Sequence, residues 1–225
     1  MASERTRIKT PRPSTPEAVY DVIDTLLDGD GWEGPVGVAI PAVVTNGVAR
    51  TAANIDDAWI GTDVAAALTA RRGVPVAVLN DADAAGLAEM RYGAGRGTSG
   101  VVIVLTFGTG VGSGIFVDGA LVPNTELGHM EFRGKAAELS TAARLVEDDD
   151  MPLKKWAKRV NTYLGLIDRV FSPERIIFGG GISKQYDEYA GWLDVSCEVV
   201  PAELRNQAGI VGAAVAVAVA VAGKD

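Results

Sequence analysis

A chain of 225 residues that is 48% hydrophobic and 22% charged has the composition of a folded globule, long enough for one large domain or two small ones. A formal net charge of −8 argues against general nucleic-acid binding. With one cysteine, Cys197, and one histidine, His129, the sequence excludes an internal disulfide framework and a metal centre made of Cys/His clusters.

The first fifteen residues are basic and Pro-rich without an apolar leader, which together with the acidic balance predicts a cytoplasmic protein. Arg5–Lys9 reads as a short strand, followed by a turn through Pro11 and Pro13. Thr15 then caps a helix with Pro16 at its first position, and Val19, Ile23, Leu26 and Leu27 share one face until Gly29 and Gly31 end it. Val36–Ile40 is a buried strand stopping at Pro41, and Asn46-Gly47 is a hairpin-type turn. A helix runs from a Thr62 cap to Arg72 and closes at Gly73; a buried strand over 74–79 follows, ending at Asn80-Asp81.

Ala82–Tyr92 is helical and leads to the stretch with the most chemical content, Val101 to Gly119. Two apolar runs flank glycines at 108, 110, 112 and 114, so a β-hairpin with a bare turn is expected. Glycine lets amides crowd around an anion and tolerates positive φ, while Thr106, Thr109 and Ser113 supply hydroxyl donors. Phosphate suits such a loop; a tight hairpin whose glycines only relieve strain is the other reading. Neither G-x-G-x-x-G nor Gly-Lys-Ser/Thr fits these glycines. A turn at Pro123–Thr125 precedes Glu126-Leu-Gly-His129; 135–146 reads as a helix ending in the acidic run Glu147–Asp150.

Leu153–Phe171 is a long amphipathic helix bearing Lys154, Lys155, Lys158 and Arg159, either a solvated face or a polyanion track. Arg175–Phe178 is a short strand emptying into Gly179-Gly180-Gly181, a turn that either admits a nucleotide or phosphate or merely bends the chain. A helix from Ser183, a strand near Glu198–Val200 and a final helix from Ala208 complete the chain. The apolar tract Ala213–Ala222 is taken as a buried helix too short to cross a membrane. Alternating strands and helices give an α/β class with mostly parallel pairing.

Asn80 and Asp81 stand at a strand end, where α/β sheets collect ligands. There Asp81 either accepts a proton from a substrate hydroxyl or caps the 82–92 helix, and Asp83 reads as a dipole-stabilising carboxylate of its first turn. Glu126 and His129 are spaced to face one cleft.

The joint order of Asn-Asp, glycine hairpin, Glu-x-x-His and Gly-Gly-Gly resembles the ROK family of sugar kinases. Thr51–Asn54, Trp59-Ile-Gly61, Leu79–Gly86, Leu105–Gly110, Pro123–Glu126 and Gly209–Ala214 are similar to its polyphosphate-using glucokinases, over almost the whole chain. The resemblance implies an actin-like ATPase/hexokinase-type (ribonuclease H-like) two-domain α/β fold. Residues 1–80 with the helix 208–225 would be the remnant of a small domain, and 81–207 the large one. It implies phosphoryl transfer from polyphosphate or ATP to the 6-hydroxyl of glucose, with Asp81 as general base. Asn80, Glu126, His129 and Glu138 would hold the sugar, Glu131 competing with Glu138. Thr106, Gly108, Thr109 and Gly110, with Gly179, Gly180 and Gly181, would receive the donor. It implies Mg2+ accompanying the donor, a homodimer, and neither nucleic-acid nor membrane partners.

Three departures are visible. Phe132–Lys135 stands where many relatives carry zinc-binding cysteines, so no zinc is expected. Ala42 replaces a frequent glycine after Pro41. The family's opening Asp-x-Gly-Gly-Thr-x-x-Lys hairpin is not in the sequence, so an N-terminally truncated fold with impaired catalysis is expected, and a sugar-binding protein without kinase activity is the alternative.

Overall fold

The computed structural model describes residues 5–52 and 55–223. Residues 1–4, 224–225 and the Ala53-Asn54 end of the Thr51–Asn54 motif lie outside the described residues. The chain divides into two compact units, Met1–Asn80 with Ala213–Asp225, and Asp81–Gly212.

In the first unit, the strand expected at 5–9 does not form: residues 5–10 have no regular structure and are exposed, and none of the described strands pairs with them. A strand needs a neighbouring strand for its amides, and none of the described strands supplies one. Helix α1 (Pro16–Gly29) starts as read, Thr15 Oγ1 accepting from the Ala18 amide at 3.4 Å. Strand β1 (Val36–Ile40) is followed by β2 (Val44–Thr45) and β3 (Val48–Ala49), joined through Asn46-Gly47. Helix α2 (Val64–Arg72) is capped by Asp63, whose Oδ1 accepts from the Ala66 amide at 2.9 Å. Thr62, the expected cap, instead donates its hydroxyl to the Ala58 carbonyl. Strand β4 (Val76–Asn80) pairs parallel with β1 over its full length, setting Ile40 opposite Asn80. Trp59, Tyr20, Leu68, Val64 and Ile40 form the buried core; the Trp59 indole donates to the Ser14 carbonyl at 2.7 Å. Arg71 bridges Asp21 and Asp24, and Arg72 bridges Asp24 and Asp28, fastening α2 to α1.

The second unit opens with α3 (Asp81–Tyr92) and is built on a five-stranded sheet. Strands β5 (Val101–Phe107), β6 (Val111–Val117) and β7 (Ala120–Val122) form an antiparallel meander. Two small strands, β8 (Glu131–Phe132) and β9 (Lys135–Ala136), make a hairpin across Arg133-Gly134. The expected 135–146 helix is therefore broken: only α4 (Glu138–Thr141) and α5 (Arg144–Glu147) are helical. Its alanines favour a helix, but Trp156 Nε1 donates to the Thr141 carbonyl at 2.8 Å and the Arg144 amide to the Gly108 carbonyl at 3.1 Å. These tertiary bonds override local propensity. Helix α6 (Leu153–Phe171) buries Trp156, Ala157, Val160, Tyr163, Leu164 and Ile167, one stripe at helical spacing.

Strand β10 (Arg175–Gly180) lies parallel between β5 and β11 (Glu198–Pro201), after the short α7 (Tyr186–Tyr189). Side chains alternate across the sheet. Ile103, Leu105, Phe107, Ile176 and Phe178 enter the core with α6, whereas Val102, Val104 and Ile177 enter another with Phe116 and Ala202. Helix α8 (Ala208–Ala222) closes the chain. With the turn before it, the run Arg205–Ala222 is 18 residues of mean hydropathy 1.4, long and apolar enough to cross a membrane by length and composition alone, whereas α8 itself has 15 residues. It is also not buried throughout: Ala208, Gly212, Ala213 and Val217 face inward, while Ile210 and Val219 are exposed.

Candidate active site

The second unit brings the two glycine segments together. Strands β5 and β10 run parallel with Gly179 opposite Thr106 and Gly180 opposite Phe107, so the 108–110 loop and Gly181 leave the same end of the sheet. That end is where ligands bind in α/β sheets. The Gly108 amide closes the loop on the Gly110 carbonyl at 3.0 Å. Among the described residues, the amides of Thr109 and Gly110 have no protein acceptor, and Thr109 is exposed.

Gly110 and Gly112 serve close approach, whereas a Cβ at Gly108 would meet nothing within 4 Å. No glycine from 108 to 114 has positive φ. A Cβ at Gly110 would collide with Glu138 Oε2, and one at Gly112 would meet Thr106 Oγ1 at 2.6 Å. Gly180 is different: φ is +85°, and a Cβ would strike the Phe107 carbonyl.

Ser113 is not a loop donor. It is buried, its hydroxyl donating to the Thr125 carbonyl and accepting from the Leu127 amide at 2.9 Å. Asp83 Oδ2 accepts from the Asn124 amide at 2.9 Å, and the Tyr163 hydroxyl donates to the Leu127 carbonyl at 2.9 Å. Residues 124–127 are thus pinned from three elements, α3, β6 and α6, which fixes where Glu126 stands. Asp83 stands in the first turn of α3 as read, but it is only 2% exposed, a burial the sequence reading did not foresee. Its flanking alanines 82, 84 and 85 were the available signal of an apolar setting.

Four carboxyls gather around this segment. Asp81 remains accessible to solvent. Desolvation nevertheless raises its pKa, opposed by the amides of Ala82 and Asp81 itself. Glu126 is raised chiefly by burial, with His129 lowering it and Asp81 and Glu138 raising it. Asp83 is raised to about 6 by burial, against the Asn124 amide, with Glu126 and Asp81 adding to the rise. His129 Nε2 lies 3.9 Å from Glu138 Oε1, and Glu138 Oε2 accepts from the Val111 amide at 3.3 Å, linking the histidine to the glycine loop. Glu131, the competing glutamate, is exposed on β8. In the first unit, Asn80 donates through Nδ2 to the Ala42 carbonyl at 3.2 Å.

Comparison with known proteins bears directly on this arrangement. The ROK family model matches residues 1–138. The chain belongs to the ROK family. A polyphosphate glucokinase of Mycobacterium tuberculosis is 49% identical over 217 residues, covering 96% of this chain and 82% of its own length. A crystal structure of an inorganic polyphosphate/ATP-glucomannokinase from Arthrobacter superposes with TM-score 0.91 at 46% identity, covering 98% of this chain and 90% of that one. A ROK family glucokinase from Streptomyces griseus, solved with glucose and AMPPNP, aligns with TM-score 0.76 at 25% identity over 92% of this chain and 89% of its own. Within the ROK fold of this chain, the carboxyl cluster and the paired glycine segments occupy one end of one sheet.

Proposed function

We propose that this ROK protein is a glucokinase that transfers the terminal phosphoryl group of polyphosphate or ATP to the 6-hydroxyl of glucose. The observation that carries the reading is the pinned 124–127 segment: it sets Glu126 near enough to Asp81 for the Asp81 charge to raise its pKa, in the unit that holds the bare amides of Thr109 and Gly110. The polyphosphate and ATP relatives make this chemistry the natural one for such a layout.

In this reading the O6–H bond of the sugar breaks as its proton passes to the Asp81 carboxylate. O6 then bonds to the terminal phosphorus, and the bond from that phosphorus to its bridging oxygen breaks. The shortened polyphosphate or ADP leaves with the electron pair. Desolvation makes Asp81 a stronger base than an ordinary carboxylate. Asn80, Glu126, His129 and Glu138 would orient the sugar hydroxyls. The loop at Gly108–Gly110, with Thr106 and Gly179–Gly181, would receive donor phosphates on backbone amides, which screen charge where it develops. Mg2+ would arrive on the donor's phosphates, where it neutralises charge. Among the described residues no three Asp, Glu, His or Cys side chains converge to hold a cation, so the chain's own part is proton acceptance and positioning. Two-fold pairing of the chain and a cytoplasmic setting belong to the same reading.

Asp81→Asn tests it. The variant should bind glucose as before while kcat falls by about 10²–10⁴-fold with either donor, the usual worth of a general base. The acidic limb of wild-type kcat/KM should lie above the ordinary carboxylate value of 3.8, as the raised Asp81 pKa requires. Glucose binding without any glucose 6-phosphate from wild type would instead favour a sugar-binding protein.

A further inference from the structure

A cavity of about 600 Å³ in the second unit is lined by Arg133, Lys154, Lys155, Lys158 and Arg159, with only Pro152 and Thr162 between them. We propose that it is a docking site for the body of a long polyphosphate chain, held there while the chain's end reaches the glycine loop; this rests on the kinase reading above. No carboxylate lines it, although the chain carries a net charge of −8. Among the described residues none of the five cations is ion-paired. The acidic run Glu147–Asp150 precedes α6 but does not line the cavity.

Local structure sets these charges out. Positions 154, 155, 158 and 159 fall on one side of α6 because residues three and four apart share a helix face, while Trp156, Ala157 and Val160 face the core. Arg133 enters from the β8–β9 turn, its guanidinium 5.2 Å from the Phe132 ring, and Lys154 sits 5.7 Å from the Trp192 ring, contacts that steady both cations. The cavity also meets the start of a 19-residue helix whose cap position, Pro152, offers no side-chain acceptor, so the positive end of the helix dipole adds to the field.

The chemistry selects an inorganic polyanion. Proteins that hold single-stranded nucleic acid add aromatic faces for the bases to stack on. This lining has none. The helix that carries four of these cations is tied to the donor loop through its inner face: Trp156 on α6 bonds to Thr141, and Arg144 bonds to Gly108. In this proposal ATP and tripolyphosphate engage the loop alone, and only a long chain also engages the lysines.

The test uses the full chain with Lys154→Gln, Lys155→Gln and Lys158→Gln combined, all exposed positions whose loss should leave the thermal melt unchanged. Calorimetric Kd for long-chain polyphosphate and KM for that donor should each rise roughly tenfold, the sum of three screened charge contacts. The salt dependence of binding should become shallower. KM for ATP and for tripolyphosphate, and kcat with each, should stay unchanged. Unaltered long-chain affinity, equal losses with ATP, or tighter binding of single-stranded DNA than of polyphosphate by wild type would each overturn the site. Glucose phosphorylation from polyphosphate with unaltered affinity in the variant would sink the docking site and leave the kinase reading intact. Lysine-dependent polyphosphate binding by a wild type that phosphorylates no glucose would do the reverse.

Discussion

Asp83 shows how burial at one residue couples the site to stability. Its pKa rises from 3.8 to about 6, so between those values the folded chain holds a proton that the unfolded chain has released. Stability from this group is complete below pH 3.8 and is lost as pH rises through about 6. Asp83→Asn keeps an oxygen for the Asn124 amide and removes the titration. Between pH 5 and 8 wild type should therefore lose on the order of 1–1.5 kcal/mol relative to the variant in urea unfolding; parallel pH profiles would contradict this. The same residue marks a limit of reading the sequence. Glu126 and His129 were legible because a polar pair follows a glycine hairpin at short range. Asp83 looked like a helix-start carboxylate because the bond that buries it comes from Asn124, forty-one positions away.

At the scale of elements, the hairpin and the strands into it were legible because long apolar runs bounded by glycine admit few alternatives. The break between α4 and α5 was not, since alanine-rich sequence favours helix and only the bonds to Trp156 and Gly108 interrupt it. The C-terminal helix was misjudged for another reason: every residue from Ala213 to Ala222 is apolar, so no polar stripe tells the inward side from the outward. The end of β10 carries a sharper constraint. Gly180→Ala would place a Cβ against the Phe107 carbonyl at φ +85°. It should cost at least about 1–3 kcal/mol in denaturant unfolding, and KM for either phosphoryl donor should rise because the loop beside Phe107 shifts. The neighbouring Gly181, whose φ is not positive and which has room for a methyl group, should tolerate alanine with little loss of stability.

Over the whole molecule, the two units differ in how much holds them. The second has a sheet of five strands with a buried cluster on each face. In the first, β1 and β4 form a sheet of two strands, and the single buried cluster is smaller. Two-stranded sheets are marginal in water without added packing. Amide hydrogen exchange should therefore be faster in Val36–Ile40 and Val76–Asn80 than in Val101–Phe107 and Arg175–Gly180; equal protection would show that the small core suffices. Each unit also buries one indole completely enough to matter spectroscopically, Trp59 bonded to Ser14 and Trp156 bonded to Thr141. Variants keeping only one of these as the sole tryptophan would report the unfolding of the two units by separate emission shifts, without any attached dye.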